Sequence, residues 1–280
     1  MVIAGRALWR LARVFWQGLR GLLTCALLFP FITPVQRMHH VGAWSARMLG
    51  ALGVALEVQG AARAAPVLFT ANHISWLDIL AINAVHPARF VSKADVRHWP
   101  VLGWMVACGG TLFIERERKR DALRVVHQVA EALKAGETLA VFPEGTTSDG
   151  LGLLPFHANL LQAAISTETP VQAIALRYAD ATAPVSLAAA YLGDTTLAQS
   201  LRAVLFADRL RVRVELLPSQ GTRHLDRRAL AERLQHDIAD ALGMDLNVQA
   251  GSTGRAPGLA GDGQSAAPPA RPGADGIAAV

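Results

Sequence analysis

Acidic residues are missing from the first 56 positions of this chain: the first is Glu57, by which point Arg6, Arg10, Arg13, Arg20, Arg37 and Arg47 have already been read. With 27 Lys and Arg against 22 Asp and Glu overall, the formal charge of +5 is concentrated in that arm and the rest is close to neutral. Neither a basic stripe with stacking aromatics nor a recognisable nucleic-acid motif is present, which argues against a nucleic-acid binder. Cysteine is almost absent. Cys25 and Cys108 are too few for a disulfide scaffold, and without a C-x-x-C or His/Cys cluster no metal site is expected. Both absences fit a reducing compartment. Charge is sparse as well, at 18% of residues against the ~25% typical of soluble domains, while 52% are hydrophobic.

The chain also lacks an uninterrupted apolar run long enough to cross a bilayer. Its charge-free stretch at residues 21–36 contains Pro30 and Pro34 and would reach about 24 Å as a helix, short of the ~30 Å hydrocarbon core. Just before it, Arg6, Arg10, Arg13, Gln17 and Arg20 recur at spacings of four, three, four and three, the pattern of a basic amphipathic helix. A second apolar stretch, residues 41–56, carries Trp44 and Arg47. The expectation is a helical hairpin at residues 1–55 that dips into one leaflet with arginines and tryptophans at the headgroups. A cleaved signal peptide fits less well, because the charged region is too long and no clean cleavage site follows; two soluble helices on the core are the other alternative.

From residue 56 the pattern changes to short apolar runs alternating with helical periodicity, the signature of an α/β domain extending to residue 249. Strands are expected at 66–72, 89–93, 111–116, 138–145, 171–178 and 211–218, in a single mixed sheet that is largely buried and flanked by helices. Residues 121–135 predict a helix with Leu123, Val126, Val129, Ala130 and Leu133 on one face and Gly136 as its stop. Leu230, Leu234, Ile238 and Leu242 predict another at 226–242. Residues 250–280 are Gly-, Ala- and Pro-rich, and a disordered tail is expected.

Three segments carry chemistry. "NHISWLD" at 72–78 sets His73 five residues before Asp78. In a regular helix those two side chains would diverge. His73 is therefore expected in a loop, Ser75 at the N-cap, and Asp78 turned back on the imidazole through a Ser75-x-x-Asp78 capping box. A carboxylate there fixes the tautomer and stabilises the imidazolium. A capping Asp beside a packed His would use the same residues, and Ser75 as a nucleophile is disfavoured without a G-x-S-x-G turn. "GGTLFIER" brings Glu115 and Arg116 to a strand end, where crossings open onto a ligand crevice. "FPEGTTS" at 142–148 ends another strand in a Pro-Glu-Gly turn followed by hydroxyls.

Taken in this order, Asn72-His73 with Asp78, Phe113-Ile114-Glu115-Arg116, Phe142 to Ser148 and a strand preceded by Pro170 resemble the glycerolipid or lysophospholipid acyltransferase family, over about residues 55–215. The resemblance implies an enzyme with a membrane-dipping helix pair. In it, His73 would be the general base and Asp78 its orienting carboxylate. Lys93, Arg116, Glu144, Gly145 and Thr146 would hold the acceptor, with Asn72, Ser75, Phe142, Pro143, Ser148 and Pro170 supporting them. The reaction implied is transfer from acyl carrier protein or coenzyme A thioester to lysophosphatidic acid, with no cofactor and no metal, at the cytoplasmic face of the inner membrane. Phosphatidic-acid-forming members commonly read E-G-T-R-S, whereas Thr147 stands here in place of that arginine. The loss of a bidentate phosphate ligand opens the alternative of lyso-ornithine lipid or another lysophospholipid as acceptor. A non-catalytic lipid-binding adaptor and a thioesterase are the remaining alternatives.

Overall fold

The apolar runs pair into one seven-stranded sheet. The structure, a computed structural model, describes residues 2–114 and 119–246. In chain order the elements are α1 (Val2–Leu23), α2 (Pro34–Leu52), β1 (Ala55–Gln59), β2 (Val67–Ala71), α3 (Leu77–Val85), β3 (Arg89–Lys93), α4 (Leu102–Cys108), β4 (Leu112–Ile114), α5 (Lys119–Lys134), β5 (Thr138–Val141), α6 (Leu161–Ser166), β6 (Val171–Ala179), α7 (Leu197–Phe206), β7 (Arg211–Leu216) and α8 (Arg227–Leu242). The spatial order is β1-β7-β6-β2-β5-β3-β4. Every neighbouring pair is parallel except β6 with β7.

The central strands β2 and β5 are buried along their whole length, as continuous apolar runs require when helices cover both faces. One face packs Phe69, Phe90, Ile174, Leu176 and Tyr178 against residues of α2, α3 and α7. The other packs Leu68, Leu139, Val141 and Ala173 against α5, α6 and α8. The chain thus leaves β2 toward one face and its neighbour β5 toward the other. Adjacent strands whose connections diverge in this way open a crevice at their carboxyl ends, where α/β sheets bind ligands.

Six strands stand where their sequences predict, while β1 was read as the start of the domain only. Its sequence, Ala-Leu-Glu-Val-Gln, is mostly exposed, so an edge strand with polar residues carried no buried-run signal. In α5, Val125 is buried and Leu123 is 64% exposed, which turns the expected apolar face by a fraction of a turn. Gly136 stops that helix at φ +83°. The expected disordered tail at 250–280 lies outside the described residues.

The N-terminal helices form the expected hairpin. A π-helical turn at Thr24–Leu28 and a 3-10 turn at Phe29–Phe31 end the first arm. Thr33 then opens α2 with a reciprocal capping box to Gln36 and Pro34 in the first turn. The arginine stripe is used differently from the expectation. Arg6 pairs with Asp208, and Arg10 Nη1 donates to the carbonyls of Leu205 and Ala207, 2.9 Å each, at the C-terminal end of α7. Trp44 also turns inward, its indole N–H donating to the Gln17 carbonyl at 2.8 Å. The outward row is instead Leu8, Trp9, Phe15, Trp16, Leu27 and Phe31, each more than 60% exposed. Taken past its arginines, the helical stretch Ile3–Phe31 is long and apolar enough to cross a membrane, a length the charge-free residues 21–36 alone did not predict.

Gly53, which caps α2 at φ +79°, lies against Arg10, and a Cβ there would come within 2.5 Å of three guanidinium atoms. Gly53→Ala is expected to cost roughly 1–3 kcal/mol through backbone strain and the displaced arginine. Thermal unfolding in detergent measures this, and an unchanged midpoint would contradict the docking of Arg10.

Candidate active site

His73 and Asp78 come together in the crevice. His73 sits just beyond β2 in a non-helical loop, and Asp78 is the second residue of α3. Nδ1 of His73 is 2.8 Å from Asp78 Oδ2, which also accepts from the backbone N–H groups of Ile74 (2.7 Å) and Ser75 (2.9 Å). Both side chains are buried, at 3% and 0% exposure. A carboxylate with two amide donors already on that oxygen acts as an acceptor toward the ring, so Nδ1 carries the proton and Nε2 is the nitrogen able to take one up.

The predicted capping box is half made. Asp78 reaches back to the Ser75 N–H as expected, but α3 is capped at Trp76 without a side-chain bond, and Ser75 Oγ is buried with no hydrogen-bond partner among the described residues. The Asp78 N–H bonds instead to the Ser75 carbonyl at 3.0 Å. The turn tightens enough for the backbone oxygen to replace the hydroxyl.

Asn72 fixes the strand side of the loop. Its side-chain N–H₂ donates to the Leu176 carbonyl at 3.0 Å and its oxygen accepts from the Leu176 N–H at 2.8 Å. This side chain does what one more rung of the β2–β6 ladder would do. Phe142, just past β5, stacks on the imidazole with ring centroids 3.9 Å apart and planes 9° apart, and Phe90 stacks behind it. Ser148 donates to the His73 carbonyl through both N–H (2.7 Å) and Oγ (3.2 Å). Pro143 contributes its carbonyl to the His157 N–H, and the Pro170 carbonyl accepts from Leu68 N–H.

Sequence reading gave Glu144 to the acceptor's hydroxyls. In the structure Oε1 accepts from the His73 N–H at 2.8 Å and Oε2 from the Leu154 N–H at 3.2 Å, with the residue 3% exposed. The carboxylate is a strut joining three loops. Burial pushes its pKa up to about 7, against the opposing pull of those two N–H groups. Gly145 (φ +72°) and Thr146 are half-buried beside it, at the surface of the crevice. Thr147 is buried and donates to the Tyr191 carbonyl, while the Tyr191 N–H bonds to the Ile74 carbonyl. Lys93 ends β3 half-buried, and strand alternation places it on the face opposite Phe90. Arg116 lies outside the described residues. Among the described residues no group of three or more His, Cys, Asp or Glu is arranged to hold a metal ion.

Sequence reasoning missed Tyr178, whose hydroxyl donates to Asp78 Oδ1 at 2.7 Å. The signal was a phenol near the end of a mostly apolar, buried strand, since a buried tyrosine needs a partner for its hydroxyl. It also missed the loop at Tyr191, which carries no motif.

Residues 55–177 match the family model described as Acyltransferase. The chain is 39% identical over 204 residues, covering 72% of this chain and 80% of the relative, to 1-acyl-sn-glycerol-3-phosphate acyltransferase of Neisseria meningitidis. It is 38% identical over 235 residues, covering 81% of this chain and 85% of the relative, to lyso-ornithine lipid O-acyltransferase of Pseudomonas aeruginosa. The fold is similar to the crystal structure of the 1-acyl-sn-glycerophosphate (LPA) acyltransferase from Thermotoga maritima, with a TM-score of 0.62 at 18% identity, over 89% of this chain and 98% of that one.

The raised Glu144 pKa makes stability pH-dependent. Its folded value, about 7, lies above the ordinary 4.5, so the protonated form is favoured on folding; that contribution is complete below about 4.5 and is lost as pH rises through about 7. Wild type should therefore lose roughly 2–4 kcal/mol relative to Glu144→Gln between pH 4.5 and 8. Urea unfolding of both proteins across that range checks the sign: a gap that moves the other way overturns it.

Proposed function

Because the chain belongs to the acyltransferase family, we propose that it transfers an acyl chain from a thioester of acyl carrier protein or coenzyme A to the free hydroxyl of lysophosphatidic acid, giving phosphatidic acid. The observation that carries this reading is the buried His73–Asp78 pair, 2.8 Å apart at the carboxyl edge of the sheet. Nε2 of His73 takes the proton from the acceptor hydroxyl as its oxygen attacks the thioester carbonyl. The tetrahedral intermediate collapses, the C–S bond breaks, and the carrier thiolate leaves with the proton returned from the imidazolium. No acyl-enzyme is formed and no cofactor takes part. General-base help of this kind contributes typically ~10²- to 10⁴-fold, and positioning with oxyanion stabilisation supplies the remainder.

Gly145, Thr146, Lys93 and Arg116 bind the acceptor in this reading, and Glu144 shapes the crevice through its backbone bonds. The enzyme sits on the cytoplasmic face of the inner membrane, where a soluble acyl carrier can reach it. Helix α1 lies along the membrane surface, since Arg10 ties its inner side to α7 and Gln17 ties it to α2 while Trp9, Phe15 and Trp16 face outward.

One observation favours a second acceptor. Thr147 stands where an arginine would meet phosphate, and its hydroxyl is spent on the Tyr191 carbonyl. Lyso-ornithine lipid, which needs no such ligand, is the alternative with the same His/Asp mechanism.

The test is acyl transfer by the membrane fraction, with labelled acyl thioester and either lysophosphatidic acid or lyso-ornithine lipid. Product from lysophosphatidic acid, falling by about 10²- to 10⁴-fold in His73→Ala, is the expected result. Product from lyso-ornithine lipid alone moves the acceptor and keeps the chemistry. Undiminished transfer by His73→Ala removes the mechanism.

A further inference from the structure

Asp78 is held from both ends. Three donors converge on Oδ2 from its own loop, and Oδ1 is met by a residue 100 positions away in sequence. Tyr178 is 1% exposed on β6, where it lies opposite Val212 of β7. Its ring belongs to the core cluster that also holds Leu77, Ile174 and Val214. The same strand anchors Asn72 through Leu176, so β6 contacts both the first and the last residue of the 72–78 segment. Burial and the charge of Asp78 keep the phenol protonated well above its usual range. The hydroxyl is thus a permanent donor.

We propose that Tyr178 is a positioning residue for acyl transfer: its hydroxyl fixes the rotation of the Asp78 carboxylate and tempers that carboxylate's pull on the His73 proton. This rests on His73 acting as the base. Without the hydroxyl, Oδ1 becomes a buried acceptor with its partner lost, and the charge of Asp78 is concentrated toward the imidazole. A ring that holds its acquired proton more tightly is protonated up to higher pH and is a poorer acid toward the leaving thiolate. Among the described residues, titratable groups that face the pair from other elements include Tyr178 itself and Glu144, from the turn after β5. Glu144 is unchanged by substitution at 178, so a difference between variants isolates the tyrosine.

Tyr178→Phe keeps the ring and removes the donor. The expected result is a kcat lower by about tenfold with KM for the lyso-lipid within about twofold, and an acidic limb of kcat/KM displaced upward by about half to one pH unit. Replacing Tyr178 with 3,5-difluorotyrosine strengthens the donor while keeping the ring and hydroxyl, and should displace the limb downward; it also serves if the Phe variant fails to fold. An unmoved limb in the difluorotyrosine enzyme, or a folded Phe variant that keeps the wild-type kcat and acidic limb, overturns the proposal. The His73→Ala control separates the two levels. If that variant retains full transfer the base assignment fails, whereas a dead His73→Ala beside unmoved limbs refutes Tyr178 alone.

Discussion

A buried carboxylate must find donors for all its charge or not be ionised at all, and most of this site can be understood as the answer to that demand at Asp78. The residue is 0% exposed. Two backbone N–H groups, an imidazole N–H and a phenol meet it. Each donor fixes something else: the amides set the turn before α3, the imidazole acquires a tautomer, and the phenol ties the turn to β6. The constraint is geometric as much as electrostatic, because those donors come from the loop after β2 and from β6 and meet only where the two strands end together.

The sheet supplies the frame. Strand β2 lies between β5 and β6 in space though far from both in sequence, and each ends at the crevice. From β5 come the ring that stacks on His73 and the carboxylate that accepts the His73 N–H. From β6 come the Leu176 backbone and the Tyr178 hydroxyl. The imidazole is thereby fixed in rotation and tilt by groups whose own positions are set by a buried ladder, which is how a catalytic geometry is kept without rigid loops.

Much of this was legible in the sequence. Buried parallel strands announce themselves as apolar runs, and the 72–78 and 142–148 segments carry residue types that a turn alone does not need. The pairing of His73 with Asp78 followed from the angle that five helical residues subtend. What the sequence did not carry was the direction of side chains across long separations. Glu144 was given to the acceptor on the Pro-Glu-Gly turn and the resemblance; only the fold places two backbone donors beside it. Tyr178 looked like one more apolar strand residue. The arginines of α1 were assigned to headgroups because a helical stripe has no stated neighbour, and it was Asp208 and the carbonyls at the end of α7 that claimed two of them. Edge strand β1 left no trace because exposure on most of its residues erases the pattern by which strands are read.

Helix α7 touches both the N-terminal arm and the turn that carries Asp78. Its C-terminal carbonyls hold Arg10 of the N-terminal arm, and its Ser200 accepts the indole N–H of Trp76, two residues from Asp78, at 3.0 Å. With α1 resting on the bilayer as proposed, the helix becomes a depth gauge. The height of the imidazole above the lipid is then set by side-chain lengths, and the glycerol hydroxyl of a lyso-lipid need rise only that far to meet it. Changes to the crevice alone would then leave the distance from membrane to imidazole the same.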